Sequence, residues 1–465
     1  MEDNHLKKLL LYLSADTIDF NMDNPTCYDS IYNDFVEGGR GNVGNKFFLS
    51  ATKSYLEDVD FVNTIYYSCL KKNFFISNKS FDEINSSYRA IVLPQANVFS
   101  VSKEAIAHLI GFTEVLKKIK IPVYVTGVGA QAEDYGSIYE LFYSIKQVAV
   151  EFCNAVYRTG GEFSLRGYFT KELFDLFGFK SAVVTGCPSI FQVGRNFQVN
   201  KKKITQDDLR PTINGYANFL KNDVIFSAFE KYGAIYLDQS EFIRILYDDS
   251  YFTNEHLDKK NIKVLINKYS INGLKLLSED KIKLFYDIPV WKDYLIKQGF
   301  NFSLGQRIHG NIISIISGIP AMVVAHDSRT KELAEYFEIP NISNIKKYHD
   351  VYEIYLEMDY KRFNKNFSSK FDIFNKFLLE HNLRQHDIQA EVNNAIDISK
   401  YDFPQSKNLQ YMKDVAALLE KSQYKIEEQI NGYMKYAVGI PYELKQHLKK
   451  KLYKHKYLTE LDKKE

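Results

Sequence analysis

The fold class is set by residues 300–330, which read FNFSLGQRIHGNIISIISGIPAMVVAHDSRT. Two short apolar runs, Phe300–Leu304 and Ala321–Val324, predict buried strands. Between them, Ile308–Ser317 has the apolar spacing of a helix. A strand, a helix and a second strand in succession are typical of a parallel sheet that helices cover on both faces. These residues therefore predict an α/β fold.

The same alternation continues along most of the chain. In the first half it predicts strands at Ala90–Leu93, Ile121–Thr126, Glu162–Leu165 and Ala182–Thr185, with helices at Lys103–Lys118, Ile138–Tyr157 and Phe169–Phe177. In the second half it predicts further strands at Asp223–Ser227, Ala234–Leu237 and Ile282–Phe285, and a helix at Pro289–Gln298. Residues 193–222 lose the pattern and are polar, so we expect an exposed interdomain connection there.

Two Rossmann-like domains facing a cleft are the simplest architecture for this pattern. We expect the first at residues 1–195, the second at 196–363, and a helical extension at 364–465. The extension has an apolar stripe from Leu409 to Leu419, and its tail, Lys445–Leu458, has six lysines and no acid. Such a tail suits either a solvated terminal helix or peripheral contact with an anionic membrane surface.

Composition excludes several classes of protein. The 465 residues include 60 Lys and Arg against 58 Asp and Glu, a net charge of +2 that gives no reason to expect nucleic-acid binding. The four cysteines are widely spread, without the spacing of a zinc site, so we expect reduced thiols and no metal. Because the N-terminus lacks the features of a signal peptide, we expect a cytoplasmic protein, with any membrane contact at the inner face.

An anion site is predicted where the strand ending at Leu304 meets the following helix. Arg307 and His309 would lie at the carboxyl end of a parallel strand, where open α/β sheets bind ligands. The helix N-terminus offers unpaired N–H groups, and the Arg307 guanidinium matches a phosphate or a carboxylate. His309 could then move a proton beside that anion. The alternative is a structural ion pair for Arg307 and a core position for His309.

The next strand end repeats this arrangement. His326, Asp327, Ser328 and Arg329 follow the strand Ala321–Val324, and Asp327 or Ser328 is a natural N-cap for the helix after it. Arg329 could therefore reach the same ligand as the preceding loop. The Gly41–Gly44 loop suits two structures equally well, a phosphate cradle or a tight turn.

Cys187 precedes a proline, and no histidine is near it in the sequence to activate a thiol. We therefore expect it to pack as a small hydrophobe rather than act as a nucleophile.

Together these segments resemble the polysaccharide pyruvyl transferase family. The resemblance is carried by residues 305–310 (GQRIHG), 318–320 (GIP) and 327–329 (DSR), and in the first half by 93–97 (LPQAN), 127–131 (GVGAQ), 165–166 (LR) and 185–189 (TGCPS). Residues 41–45 (GNVGN) are similar to the family's Gly-Asn-x-Gly-Asp loop, with Asn45 in place of the usual acid. The match covers roughly residues 38–345, and the C-terminal extension has no counterpart in it.

The resemblance implies a GT-B-like fold and a defined reaction. The enolpyruvyl-derived group of phosphoenolpyruvate would pass to a sugar of a surface polysaccharide, or of its lipid-linked precursor, with release of phosphate. Arg307 and His309 would be the catalytic pair, and the donor would be bound in the second domain by Arg307, His309, Gly310, His326, Ser328 and Arg329. No cofactor is expected, because arginines can neutralise the phosphate.

The sugar would enter from the strand ends of the first domain. Polar side chains there that could bind hydroxyl groups are Asn42, Asn97, Gln131 and Arg166. Arg166 could instead be a structural ion-pair partner. The main alternative function is a GT-B glycosyltransferase that uses a nucleotide sugar, and a further one is a non-catalytic glycan-binding protein on the same fold.

Overall fold

The computed structural model describes residues 7–13, 42–63, 79–242, 259–285 and 288–386. These residues form two six-stranded sheets, and every strand pairing within them is parallel. Helices connect the successive strands, which confirms the predicted α/β class with two Rossmann-like parallel sheets. Among the described residues, no helix has the length and apolar character to cross a membrane.

The first sheet has the strand order β2-β1-β3-β4-β5-β6. Its strands are β1 (Lys8–Leu13), β2 (Val59–Asn63), β3 (Tyr88–Pro94), β4 (Val123–Val128), β5 (Phe163–Leu165) and β6 (Val183–Val184). Its helices are α1 (Val43–Tyr55), α2 (Phe81–Ser87), α3 (Lys103–Leu116), α4 (Ile138–Arg158) and α5 (Tyr168–Phe177). A short 3₁₀ helix, Pro188–Val193, follows β6.

The second sheet has the order β12-β11-β10-β7-β8-β9. Its strands are β7 (Pro211–Asn214), β8 (Ile235–Asp238), β9 (Ile282–Leu284), β10 (Phe302–Gly305), β11 (Ala321–Val324) and β12 (Asn341–Ile342). Its helices are α6 (Asp223–Lys231), α7 (Lys259–Ser278), α8 (Ile288–Lys297), α9 (Ile308–Ile316), α10 (Ser328–Phe337), α11 (Val351–Glu357) and α12 (Lys361–Glu380). Counted from β7, this is the Rossmann order 3-2-1-4-5-6.

The strand order fixes where a ligand can bind. In each sheet the direction of winding reverses between two neighbouring strands, β1 and β3 in the first sheet and β7 and β10 in the second. Helices leave these strands on opposite faces, so a crevice opens at their carboxyl ends. In the second sheet, Gly305 pairs with Asn214 at this point. The loop with Arg307 and His309 therefore begins at the crevice.

Two of the predictions are wrong. Asp223–Ser227 lies in helix α6, where the Asn222 side chain accepts from Val224 N and caps the helix. A short apolar run does not distinguish a strand from a buried helix, and this one was misassigned. Residues 193–222 are not simply an exposed connection, because they contain the fully buried central strand β7. The sequence patterns also do not predict strands β1, β2 and β12.

Helix α12 joins the two domains. It begins at Lys361, and five of its phenylalanines are buried. Phe191 of the first domain stacks on Phe374 with ring centroids 4.9 Å apart, and Tyr55 packs edge-on against the same ring at 5.1 Å. One hydrophobic cluster consequently runs from the second domain into the first through α1 and α12. The stripe from Leu409 and the basic tail Lys445–Leu458 lie outside the described residues.

Candidate active site

The start of helix α9 is fixed by Asn214, at the end of β7. Its Oδ1 accepts from the backbone N–H of Arg307 at 3.0 Å, and its Nδ2 donates to Asn311 Oδ1 at 3.1 Å. A Cβ on Gly305 would stand 2.1 Å from the Asn214 carbonyl oxygen, so only glycine allows the two strand ends to approach this closely. Asn214 thereby holds the turn from which Arg307 and His309 project.

The Arg307 guanidinium is mostly enclosed. Its Nη2 donates to Ser240 Oγ and lies 3.5 Å from Glu241 Oε1, and its Cζ is 4.1 Å from the centre of the Tyr216 ring. Its Nε is buried and has no hydrogen-bond partner within the described residues. The loose ion pair leaves part of the guanidinium available for another anion.

His309 is buried among cationic groups, with only 6% of its surface exposed. Burial lowers its pKa well below the ordinary value, and the charges of Arg166, Arg307 and Arg329 lower it further. Its Nε2 lies 3.6 Å from Cys187 Sγ, on the turn that follows β6. The imidazole is therefore neutral at physiological pH in the unliganded protein.

Helix α1 points its N-terminus at the same imidazole. Asn42 Oδ1 caps the helix by accepting from Gly44 N at 2.9 Å, and Val43 N donates to the Gln239 carbonyl oxygen of the second domain at 3.0 Å. A Cβ on Gly44 would stand 2.8 Å from His309 Nδ1. The absence of a side chain at Gly44 thus permits the close approach of α1 to His309.

Arg166, at the end of β5, is a second enclosed cation, with 2% of its surface exposed. Its Nε and Nη2 have no hydrogen-bond partner within the described part of the chain. Its Nη1 donates weakly to Asn97 Oδ1 at 3.4 Å, and its Cζ is 5.2 Å from the centre of the Phe48 ring. In the other orientation of its amide, Asn97 accepts from Arg329 Nη1 at 3.1 Å, so Asn97 lies between two guanidinium groups.

Asp327 organises the loop after β11. Its Oδ1 accepts from Thr330 N at 2.9 Å and caps α10, while its Oδ2 accepts from Arg329 Nε and Nη2 at 2.8 and 2.6 Å. Burial alone would raise the pKa of Asp327, but Arg329, His326 and the bonds from Thr330 hold it below its ordinary value. The ionised Asp327 therefore fixes Arg329 beside the arginines already described.

Ser328 connects the domains instead of facing the crevice. Its hydroxyl accepts from Ala132 N at 2.8 Å and donates to the Ala130 carbonyl at 3.2 Å, both in the loop after β4. Gln131 lies between these two residues, half-buried, with its N–H donating to the Phe99 carbonyl at 2.8 Å. The hydroxyl of Ser328 is thus already occupied by the protein.

The contacts between α10 and the first domain form what we call the α10 seam. Ser328 makes the first of them, and Glu332 makes the second. Its carboxylate accepts from Thr170 N at 3.0 Å and from Thr170 Oγ1 at 2.9 Å, at the start of α5. Burial raises the pKa of Glu332 to about 7, although the Thr170 bonds and Arg166 act in the opposite direction. A buried carboxyl that titrates near neutral pH therefore joins the domains.

A cleft of about 510 Å³ opens beside Asp327, at the carboxyl ends of β11 and β12. Its wall includes His326, whose ring packs edge-on against Tyr216 at 5.3 Å. Because Tyr216 also stacks on Arg307, the cleft adjoins the crevice that holds Arg166, Arg307 and His309, which we call the cationic crevice. The lining residues are Glu133, Asp134, Ala325, His326, Asp327, Lys331, Asn341, Ile342, Ser343, Asn344, Lys347 and Glu357.

The structure brings most of the predicted site residues together and adds others. His309 lies among the three arginines Arg166, Arg307 and Arg329. Asn97 lies beside two of these arginines, and Asn42 lies near the imidazole. The backbone of Gly310 packs against the Gln239 side chain. Sequence reasoning missed several polar residues that shape the site, namely Asn214, Tyr216, Gln239, Ser240 and Glu332. Gln239 and Ser240 directly follow a correctly predicted strand, so the strand-end argument applied to Arg307 would have found them.

The fold and the site define a two-domain α/β protein in which three arginines lie around a buried histidine where the domains meet. A family model described as polysaccharide pyruvyl transferase matches residues 42–328. The chain belongs to the polysaccharide pyruvyl transferase family, and it is a transferase. The match spans both sides of the crevice, from the cap of α1 to the start of α10.

Solved structures show more distant similarity. The chain is 11% identical to a Staphylococcus aureus MnaA described in complex with UDP, with a TM-score of 0.39 over 83% of this chain and 100% of that one. A UDP-N-acetylglucosamine 2-epimerase gives 11% identity and 0.36 over 83% and 99%. A putative epimerase of this kind from Listeria monocytogenes gives 10% and 0.33 over 91% and 96%. A comparison with curated proteins finds no match.

Proposed function

We propose that the protein transfers the enolpyruvyl-derived group of phosphoenolpyruvate to two hydroxyl groups of a sugar, forming a pyruvate ketal and releasing phosphate. The observation that carries this proposal is a set of buried guanidinium nitrogens that find no hydrogen-bond partner in the part of the chain that the structure describes. They are Nε and Nη2 of Arg166 and Nε of Arg307, and they lie around a neutral His309. These donors come from both domains. They are suited to a small ligand with two anionic groups.

Physical chemistry favours an anion here. A buried polar group without a partner costs about 1–3 kcal/mol, and more if it is charged, so a ligand that accepts from these nitrogens recovers that cost. The N-termini of α1 and α9 both approach His309, and each adds partial positive charge. Phosphoenolpyruvate carries a phosphate and a carboxylate, which two guanidinium groups can bind separately.

His309 is our candidate for the group that protonates the methylene carbon. In the free protein the three arginines disfavour its cationic form. A bound trianionic donor would offset their charge and raise the pKa of the imidazole, so that His309 becomes able to deliver a proton. Protonation at that carbon creates an oxocarbenium-like centre, which a sugar hydroxyl then attacks.

The atoms balance without an external co-reactant. Two carbon–oxygen bonds form between the central carbon and the sugar; in exchange, the π bond of the donor breaks as its methylene carbon gains a proton, and the bond from the central carbon to the phosphate oxygen breaks. The two hydroxyl groups release two protons: one replaces the proton given to the methyl carbon, and the other leaves with phosphate. Arg166 and Arg307 stabilise the charge on the leaving phosphate, so we propose no cofactor.

We propose that the acceptor sugar belongs to a surface polysaccharide or its lipid-linked precursor, and that transfer takes place in the cytoplasm, at the inner face of the membrane. The cleft beside His326 opens next to the cationic crevice and offers carboxylates, amides and a hydroxyl at its wall. Such groups bind sugar hydroxyls through directional hydrogen bonds. Asn97 and Gln131 stand on the first-domain side of the same region.

The test is incubation of the protein with phosphoenolpyruvate and candidate glycans, while inorganic phosphate and the mass of the glycan are measured. We expect phosphate release that depends on the glycan and a mass gain equal to one ketal. Arg166→Lys and Arg307→Lys should each raise the KM for phosphoenolpyruvate and lower kcat, because a lysine cannot reproduce the geometry of a guanidinium.

Arg89→Lys is the matched control. Arg89 is also partly buried and donates to the carbonyl of Lys7 at 2.6 Å, but it lies at the start of β3, at the opposite end of the sheet from the crevice. Its substitution should leave the kinetic constants unchanged. Nucleotide release from a nucleotide sugar, with no response to phosphoenolpyruvate, would show a GT-B glycosyltransferase and refute the proposal.

A further inference from the structure

Cys187 contacts His309 although 122 residues separate them in the chain. Its Sγ lies 3.6 Å from His309 Nε2 and 3.0 Å from Ser189 Oγ, and the cysteine is fully buried. The charge of Arg166, whose buried Nε and Nη2 have no hydrogen-bond partner within the described residues, also acts on His309. The thiol belongs to the hydrophobic cluster that runs between the domains and at the same time contacts the imidazole of the candidate site.

The turn that carries the thiol is held in place on several sides. Gly186 has φ of +82°, and a Cβ on it would stand 2.3 Å from the Phe337 ring, so the chain enters Cys187 in a conformation that favours glycine. After it, the 3₁₀ helix Pro188–Val193 packs against both α1 and α9. Tyr55 Oη donates to the Pro188 carbonyl at 3.0 Å. The position of Sγ is therefore set by the fold.

We propose that Cys187 is a positioning residue for His309, whose thiol donates to Nε2 and so selects the imidazole tautomer that is protonated at Nδ1. The oxygens around the ring agree with this assignment. His309 Nδ1, Gln239 Oε1 and Asn42 Oδ1 all lie within 3.1 Å of the point where a Cβ of Gly44 would stand. Both oxygens therefore lie on the Gly44 side of the imidazole, in the neighbourhood of Nδ1, while the thiol, a weak donor, faces Nε2.

The catalytic consequence of this bond rests on the proposed function. A histidine that exchanges a proton with a substrate must present a fixed nitrogen in a fixed protonation state. Among the described residues, the other contacts of the ring are packing contacts, including the edge-on contact with Phe47 at 6.0 Å. Losing the thiol would allow the second tautomer and a rotated ring, which lowers the rate of proton transfer more than the affinity for the donor.

The first test uses the unliganded full chain. Nitrogen NMR of ¹⁵N-histidine-labelled protein distinguishes the two tautomers, and a His309→Gln spectrum assigns the signal. We expect the Nδ1–H form in the wild type and in Cys187→Ser, since a hydroxyl can still donate to Nε2. Cys187→Ala should show a substantial Nε2–H population. Cys153→Ala is the matched control, because Cys153 is equally buried but lies in α4.

The second test is turnover with phosphoenolpyruvate. Cys187→Ala should lower kcat about tenfold through misorientation of the imidazole, with the KM for phosphoenolpyruvate changed less than about twofold, and Cys187→Ser should recover most of the loss. An unchanged His309 tautomer in Cys187→Ala would overturn the inference, even if phosphoenolpyruvate is the donor. If the NMR result holds but no phosphoenolpyruvate is consumed, the proposed function fails and the positioning role of Cys187 stands.

Discussion

The carboxyl of Glu332 makes the stability of the domain seam depend on pH. It is 1% exposed and accepts only from Thr170 among the hydrogen bonds described for it. Burial raises its pKa from an ordinary 4.5 to about 7. Glu332→Gln keeps the shape of the side chain and an oxygen to accept from Thr170 N, but it removes the titration. The substitution therefore isolates the electrostatic part of this contact.

The size and sign of the effect follow from linkage. The folded protein binds the Glu332 proton more tightly than the unfolded chain, so this carboxyl stabilises the fold fully below pH 4.5. That contribution is lost as the pH rises through about 7. A pKa difference of about 2.5 corresponds to about 3 kcal/mol. Relative to the wild type, Glu332→Gln should gain this amount of unfolding free energy between pH 4.5 and 8.

The free energy of unfolding of both proteins is measured in urea at several pH values across that range, with a probe that reports on the α10 seam. Glu335→Gln is the control, because Glu335 lies one turn further along α10 and accepts from Tyr135 Oη at 2.7 Å across the same seam, but is half-exposed. A free-energy difference between wild type and Glu332→Gln that stays constant with pH would refute the reasoning. So would an equal pH effect in the control.

Three further predictions concern the crevice and its support. Gly44→Ala should cost about 1–3 kcal/mol in unfolding experiments and lower turnover, because its Cβ would press on His309 Nδ1; wild-type behaviour would mean that α1 is not held against the imidazole. Phe191→Ala should cost about 3–5 kcal/mol and expose α12 to limited proteolysis, whereas an unchanged digestion pattern would contradict its bridging role. In pH profiles, the alkaline limb assigned to His309, which must be protonated to act, should lie at lower pH for kcat/KM, which reports the free enzyme, than for kcat, which reports the donor complex; coincident limbs would argue against donor-linked protonation.

Local patterns predicted much of the second domain. The apolar runs of β10 and β11 and the helical spacing of α9 are properties of neighbouring residues, and they placed Arg307 and His309 at a strand end correctly. The family resemblance fixed the class of enzyme for the same reason, because its motifs are short and contiguous. Asp223–Ser227 shows the limit of this reasoning, since its few apolar residues fit a strand and a buried helix equally well.

The tertiary structure alone decided which residues meet. Strand order placed β7 beside β10, so Asn214, in a segment whose polar composition resembled a connection, became the residue that fixes the start of α9. The turn after β6 places Cys187 against His309, although 122 residues separate them in the chain. Periodicity records which face of an element is buried, but it carries no information about distant partners. Contacts of this kind depend on the packing of whole sheets, and they determine the charge and protonation of the site.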